Sequence, residues 1–175
     1  MPGKGFCLPH AVCAAGKHVS SAPSTTSNRD CADCASGMFS ASTNVDRCND
    51  CPLGKHQALG GKTSCDACTA GRSGKAGAAL PRTSAAAHCE ACAARTYSIT
   101  AGATGCLQCG GCSSAGVARS GCGGASAGVC LACSVGRFKA GVGVGSCSDC
   151  AHGSFQNATG QAQCVGCSSI PCPSG

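Results

Sequence analysis

The sequence is poor in the residues that normally build a hydrophobic core. It has no Trp, one Tyr, four Phe and two Met, and Leu, Ile, Val and Phe together make up 21 of its 175 residues. With so few large apolar side chains, burial alone cannot offset the conformational entropy that is lost on folding. An ordinary globular core is therefore excluded, and cross-links must supply the missing stability.

Long apolar runs and clusters of like charge are also absent. No stretch approaches the roughly 20 apolar residues of a membrane-spanning helix, and the N-terminal MPGKGFCLPHAVC lacks the apolar run of a signal peptide. If the protein is secreted, we expect the signal and any anchor to lie outside this sequence, in a longer chain. The net charge of +6 is scattered, so no nucleic-acid-binding surface is predicted.

Cysteine, by contrast, is abundant and regularly spaced. Of the 21 cysteines, sixteen form C-x-x-C pairs that begin 17 or 24 residues apart, at Cys31, Cys48, Cys65, Cys89, Cys106, Cys130, Cys147 and Cys164. A fixed short period indicates a linear array of small units, each of which contacts mainly its neighbours. Cysteine at this density favours a disulfide framework and an oxidising compartment.

Two positions recur after the second cysteine of each pair. The first, three residues on, is occupied by Gly16, Gly37, Gly54, Gly71, Gly136 and Gly153, with Arg95 as the one departure. The second, two residues later, is occupied by a residue with a ring side chain, and Ser73 is the exception. The ring residues are His18, Phe39, His56, Tyr97, Phe138 and Phe155. We expect each ring to pack on the bridge of the next unit.

A third recurring position lies four residues before the closing cysteine. It holds Asn44, Gly61, Gly102, Gly143 or Gly160. Glycine with asparagine as its substitute is typical of positive φ, so each unit should turn back tightly there. The predicted fold class is small and disulfide-rich: an elongated tandem array of ~17-residue modules with short irregular β-hairpins and almost no helix.

Some units depart from this pattern. The loops Cys13 to Cys31 and Cys68 to Cys89 are longer, and we expect them to form mobile bulges. One unit is of another kind, since it has neither the glycine nor the ring position; its cysteines are Cys106, Cys109, Cys112, Cys122 and Cys130.

The unit C-x-x-G-x-[FY]-x8-C, as in CAHGSFQNATGQAQCVGC, resembles the cysteine-rich repeat of ephrin-receptor-like domains. It is also similar to the single-disulfide module of tumour-necrosis-factor-receptor ectodomains, and the different unit resembles their two-disulfide module. The resemblance implies a division into an N-terminal segment (1–12), tandem repeats (13–106), a two-disulfide module (107–130), further tandem repeats (131–167) and a C-terminal tail (168–175).

The resemblance also implies a disulfide connectivity, which the spacing alone leaves open. The second cysteine of each pair would open a loop that the first cysteine of the next pair closes, and the different unit would interleave two bridges. The implied pairs are Cys13–Cys31, Cys34–Cys48, Cys51–Cys65, Cys68–Cys89, Cys92–Cys106, Cys109–Cys122, Cys112–Cys130, Cys133–Cys147 and Cys150–Cys164. Cys167 is expected to close on Cys172, unless both pair outside this sequence. The odd count leaves one cysteine unpaired, for which Cys7 is the candidate.

Two other roles for the cysteines are open from sequence alone. The spacing C-x2-C-x13-C-x2-C falls in the zinc-site range. In six of the pairs, however, the second cysteine is followed by a residue other than glycine: Ala35, Pro52, Thr69, Ala93, Ser134 or Ala151. Pro52 has no N–H for a thiolate. Redox activity needs a stabilised thiolate, whereas five pairs enclose an acid: Asp33, Asp50, Asp66, Glu90 and Asp149. Disulfides are favoured, and no cofactor, metal or catalytic residue is predicted.

Three further features bear on partners. Lys17, Lys55, Arg72 and Arg137 directly precede the ring position, either as a solvated stripe balanced by the acids or as a ladder for an anionic glycan. Asn157-Ala158-Thr159 is an N-glycosylation sequon. His10, His88 and His152 have no recurring partner.

The function predicted from these features is a non-enzymatic extracellular protein, a rod-like structural or adhesive component of a cell-surface or appendage assembly. Other proteins of that assembly, and an anionic glycan, are the expected partners. One alternative is a receptor-type ectodomain fragment that binds a protein ligand. A zinc-binding C-x-x-C array is a second alternative.

Overall fold

The computed structural model describes residues 9–168, which form sixteen short strands and one short helix. The strands pair into eight separate two-stranded antiparallel sheets. The pairs are β1 Lys17–Ser21 with β2 Asp30–Asp33, β3 Met38–Phe39 with β4 Asn49–Asp50, β5 Lys55–His56 with β6 Asp66–Ala67, β7 Arg72–Gly74 with β8 Cys89–Ala91, β9 Thr96–Tyr97 with β10 Leu107–Gln108, β11 Val117–Gly123 with β12 Ser126–Ala132, β13 Arg137–Phe138 with β14 Ser148–Asp149, and β15 Ser154–Phe155 with β16 Val165–Gly166. The helix is α1, Ala85–His88.

The predicted fold class is therefore confirmed: the protein is disulfide-rich and built of small two-stranded hairpins, with almost no helix among residues 9–168. The described chain divides into two compact units. Unit 1 comprises the residues up to Ala91 together with Thr100–Gly105, and unit 2 comprises Cys92–Ile99 and the residues from Cys106 onwards. We call each stretch that a C-x-x-C pair opens a module and name it after its opening cysteine, for example the Cys51 module.

The interior is made of cystine. The buried apolar residues of the described chain are all cysteines, for example Cys13 and Cys51 at 0% exposure. Large aliphatic side chains lie outside, with Val142 67% and Ile99 61% exposed. Cross-links therefore take the place of a hydrophobic core, as the composition predicts.

The turn position has the predicted backbone conformation. Asn44 has a φ of 56° there, and the glycines have φ values from 70° (Gly61) to 91° (Gly143). The same residue also joins two modules, because its N–H donates to the carbonyl of the preceding module's opening cysteine or, in the two-disulfide module, to that of Cys112. These bonds run from Asn44 to Cys13, Gly61 to Cys34, Gly102 to Cys68, Gly143 to Cys112 and Gly160 to Cys133, at 2.7–2.9 Å.

The glycine position also has positive φ, which the sequence did not reveal. Gly16 has a φ of 86° and Gly54 one of 84°. A Cβ atom at Gly54 would lie 2.9 Å from the carbonyl carbon of Gly102, and one at Gly16 equally close to that of Gly61. Each contact reaches the module two further along the chain, so the packing extends beyond the predicted nearest-neighbour contacts.

The two-disulfide module contains a glycine position after all. Gly116 lies four residues after Cys112, one more than separates the glycine from the opening cysteine in the other modules, and it has a φ of 73°. Its N–H donates to the carbonyl of Lys139, and its own carbonyl accepts from the N–H of Cys133, as Gly16 does with Ser40 and Cys34. The prediction that this unit lacks the glycine position was wrong, because a shift of one residue hides it.

The long loop between Cys68 and Cys89, expected to be a mobile bulge, packs on earlier modules. The Arg82 guanidinium donates to the carbonyl of Cys51 at 2.7 Å, and the Arg82 carbonyl accepts from the N–H of Gln57 at 2.9 Å. In other modules the carbonyl of the opening cysteine accepts from the backbone N–H of a turn residue. The carbonyl of Cys51 accepts from the Arg82 side chain instead. Inside the loop, the buried His88 ring lies 3.0 Å from the carbonyl oxygen of Ser84.

Candidate functional site

Nine disulfides join described residues, with Cα–Cα distances of 5.4–6.0 Å that are ordinary for this bond. The pairs are Cys13–Cys31, Cys34–Cys48, Cys51–Cys65, Cys68–Cys89, Cys92–Cys106, Cys109–Cys122, Cys112–Cys130, Cys133–Cys147 and Cys150–Cys164. These are the pairs that the resemblance implies. Cys167 is also disulfide-bonded, whereas Cys7 and Cys172 lie outside the described residues. No cysteine between residues 9 and 168 is a free thiol.

Two of the rings lie where they were expected, beside the bridge of the next module. Nδ1 of His18 is 3.6 Å from Sγ of Cys48, and Nδ1 of His56 is 3.9 Å from Sγ of Cys89. His56, Cys68 and Cys89 bring three metal-ligand atoms within 4.8 Å of one another. The two sulfurs are bonded to each other, however, and a cystine offers no thiolate to a metal. This cluster is structural.

Three of the four basic residues before the ring position have partners within the chain. Lys17 Nζ lies 2.6 Å from Asp33 Oδ1, and Arg137 Nε lies 2.8 Å from Asp149 Oδ1. Both pairs face each other across a hairpin, so these acids between the cysteines balance cations of the same sheet. The Arg72 guanidinium donates to the carbonyl of a cysteine. Lys17 and Arg137 are therefore neutralised within their own hairpins, whereas the hydrogen bond of Arg72 holds its guanidinium without neutralising the charge.

Sequence reasoning missed a set of buried polar residues that directly follow the ring position: Ser40, Gln57, Ser98, Lys139 and Gln156. Gln57 shows their role. Its Nε2 donates to the carbonyl of Ser64 at 3.1 Å, and its Oε1 accepts from the N–H of Leu59 at 3.1 Å. Gln156 repeats both bonds one residue after Phe155, at 2.8 and 3.1 Å. Gln57 and Gln156 thus stabilise the loops that follow them by buried hydrogen bonds to the loop backbone, whereas larger proteins stabilise such loops mainly by apolar contacts.

A cavity of about 400 Å³ lies within unit 2, against the Cys109–Cys122 bridge. Its lining consists of Arg95, Cys109, Gly110, Arg119, Gly121, Cys122, Val144, Gly145 and Ser146. Arg119 is fixed by three backbone carbonyls, those of Gly110, Ala127 and Gly128. Arg95 is exposed and occupies the glycine position with a φ of 65°. The sequence marked Arg95 only as a departure from the pattern and gave no sign of Arg119.

The sequon asparagine, Asn157, is exposed in the loop that follows β15. The next residue, Ala158, is tied to the buried Gln156 by its backbone N–H. Asn157 is thus an accessible side chain, which is what attachment of a glycan requires.

Part of the chain matches a known protein family. Residues 37–83 match the family model described as tyrosine-protein kinase ephrin type A/B receptor-like. The matched stretch contains the whole Cys51 module and the glycine positions Gly37, Gly54 and Gly71. The protein is thus a disulfide-rich repeat protein, and residues 37–83 are similar to the cysteine-rich domain of the ephrin-receptor-like type, as the resemblance predicted.

No curated protein matches the chain with significant similarity. Between residues 9 and 168, no helix is long and apolar enough to cross a bilayer.

Proposed function

We propose that the protein is a non-enzymatic, extracellular component of a cell-surface or appendage assembly, where it acts as a structural or adhesive array that binds other proteins. The division into tandem repeats (13–106), a two-disulfide module (107–130) and further repeats (131–167) belongs to this proposal.

The observation that carries the proposal is the disulfide bonding of every described cysteine. Structural disulfides form and persist in oxidising compartments outside the cytosol. The reactive groups of the repeats also have structural uses: sulfurs are in bridges, His18 and His56 lie against bridges, and Lys17 and Arg137 are in ion pairs.

Exposed apolar side chains support a protein-binding surface. On β12, Val129 and Leu131 point to the same side of the hairpin because they are two residues apart, and they are 59% and 53% exposed. Exposed aliphatic side chains on one face of a hairpin offer apolar contact area to a partner protein.

Location is the decisive test. Antibodies against the recombinant, oxidised chain should label intact cells of the source organism without permeabilisation, and cross-linking at the surface should join the protein to other surface proteins. Labelling only after permeabilisation would contradict the proposal. Cells in which the gene is deleted provide the control for antibody specificity.

The second candidate is a receptor-type ectodomain that binds a protein ligand, and the cavity between Arg95 and Arg119 favours it because such a site suits one specific ligand. Cross-linking separates the two candidates. A structural component yields the same stable neighbours on all cells, whereas a receptor yields a partner that appears only when the soluble ligand is supplied.

A further inference from the structure

We propose that the cavity between Arg95 and Arg119 binds a carboxylate, supplied by an Asp or Glu side chain of a partner protein. Only the origin of the carboxylate rests on the protein-binding role proposed above. The anion site itself follows from the charges, the backbone and the size of the cavity.

The cavity carries two cations and no anion. None of its nine lining residues is acidic. The hydrogen bonds of Arg119 all go to backbone carbonyls, of Gly110, Ala127 and Gly128, so they hold the guanidinium in place without neutralising its charge. A cation fixed in this way loses little freedom when an anion binds, which favours binding.

The side chain of Arg95 makes no polar contact with the described part of the chain, whereas its backbone does. Its backbone does what glycine does in other modules: the Arg95 carbonyl accepts from the N–H of Cys109 at 2.8 Å, as that of Gly37 accepts from Cys51. The guanidinium makes no hydrogen bond or ion pair with any residue between 9 and 168. Glycine would adopt the φ of 65° freely, whereas arginine does so at a conformational cost. Strain of this kind at a cavity indicates a function of the side chain.

The surroundings favour a protein carboxylate over a sulfated glycan. A glycan chain with many sulfates suits a row of free cations, but Lys17 and Arg137 of the basic stripe are already paired. The cavity instead offers two guanidiniums in about 400 Å³, with the 63% exposed Val144 at its edge. That volume accommodates one acidic side chain and part of its neighbours. Guanidinium groups bind carboxylates through paired hydrogen bonds.

The experiment is an NMR titration of the full oxidised chain, labelled with ¹⁵N. The probes are the capped peptide acetyl-Gly-Asp-Val-Gly-amide, its counterpart with Asn for Asp, and a heparin-derived disaccharide, all at constant ionic strength. We expect the Asp peptide to shift the amides of Gly110, Gly121 and Gly145 and the Nε–H signals of both arginines. The Asn peptide should bind about tenfold more weakly, since it lacks the charge.

Two variants make the test specific. Arg95→Gly installs the residue that six other modules carry at this position, so the fold should keep or gain thermal stability while the affinity for the Asp peptide falls about tenfold. Arg47→Gly removes an exposed arginine elsewhere and should change neither. Equal binding by Arg95→Gly, or no site-specific shift with the Asp peptide, would overturn the anion site.

Tighter binding of the disaccharide than of the Asp peptide at the same residues would overturn the protein origin of the ligand and leave a glycan site. These outcomes are independent of the proposed location, because a protein found inside cells could still show the carboxylate site. A surface protein that failed the titration would, in turn, keep its structural role.

Discussion

The α-carbon of Gly54 packs against the carbonyl group of Gly102, which belongs to the module two further along the chain. A Cβ atom at Gly54 would lie 2.9 Å from the Gly102 carbonyl carbon, and the φ of Gly54 is 84°. Gly54→Ala therefore combines backbone strain with a backbone clash. We expect it to lower the free energy of unfolding by about 3 kcal/mol, measured by denaturant or thermal unfolding of the oxidised protein.

Gly136→Ala is the matched control. Gly136 occupies the same position of its own module with a φ of 78°, but a Cβ atom added there would have nothing within 4 Å of it. Its substitution should cost only the strain, about 1–2 kcal/mol. Equal losses for the two variants would show that the contact between Gly54 and Gly102 contributes nothing.

Arg82→Ala should release the long loop from the Cys51 module. The substitution leaves the Cys51 carbonyl without its charged donor, at a cost of about 1–3 kcal/mol. Hydrogen exchange should become faster in residues 75–88, with little change in unit 2. Arg82→Lys keeps the charge but not the fork of donors, so it should restore the protection only in part. Unchanged exchange in Arg82→Ala would mean that other contacts hold the loop.

The ring position should accept exchange between ring types. His56 lies beside the Cys68–Cys89 bridge, where other modules have Phe or Tyr. We expect His56→Phe to keep the unfolding midpoint within experimental error and His56→Ala to lose about 1 kcal/mol, because the alanine uncovers the bridge. A loss in His56→Phe as large as in His56→Ala would show that the imidazole itself is needed.

The cysteines should be almost fully oxidised when the chain is produced in an oxidising secretory pathway. Thiol titration of the denatured, unreduced chain should find about one free thiol, since the count of 21 is odd. Proteolysis without reductant, followed by mass spectrometry, should return the nine pairs from Cys13–Cys31 to Cys150–Cys164. Many free thiols with stoichiometric zinc would instead support the C-x-x-C zinc array.

Asn157 should carry a glycan when the chain is made in a eukaryotic secretory pathway. The exposure of its side chain makes it accessible to glycosylation. Thr159→Ala should remove the added mass, whereas Thr159→Ser preserves the sequon and should retain it. A chain of unmodified mass in both the parent and Thr159→Ser would rule out occupancy at this site.

Much of the fold could be predicted because a few recurring residues determine it. The turn position holds glycine in four modules and Asn44 in a fifth, and these two residue types predict a positive φ there. The period of the C-x-x-C pairs defines the repeats. The disulfide partners could be named only through the family resemblance, since the spacing leaves most pairs with a possible partner on either side along the chain. The rings of His18 and His56 lie by the bridges as predicted.

The rest depends on contacts between residues far apart in sequence. The residues around Arg82 in the sequence do not predict its hydrogen bond to the Cys51 carbonyl. In the same way, the residues around Gly54 do not predict its contact with a carbonyl two modules away. Gly116 escaped notice because one extra residue shifts it from the aligned position. The cavity needed the structure, because Arg95 and Arg119 are 24 residues apart in sequence and line one cavity only in the folded chain. The sequence signal was there at Arg95, as an arginine where glycine is the rule.

The bonds between turn residues and opening cysteines have a consequence for how such a protein can change. Each is made by the main chain alone, from an amide at one recurring position to a carbonyl at another. Such a bond does not depend on the identity of the side chains around it, so it places few limits on which two repeats can be neighbours. Duplication or loss of a whole repeat would leave these main-chain bonds available between the remaining repeats. The length of the array can therefore evolve in steps of one repeat.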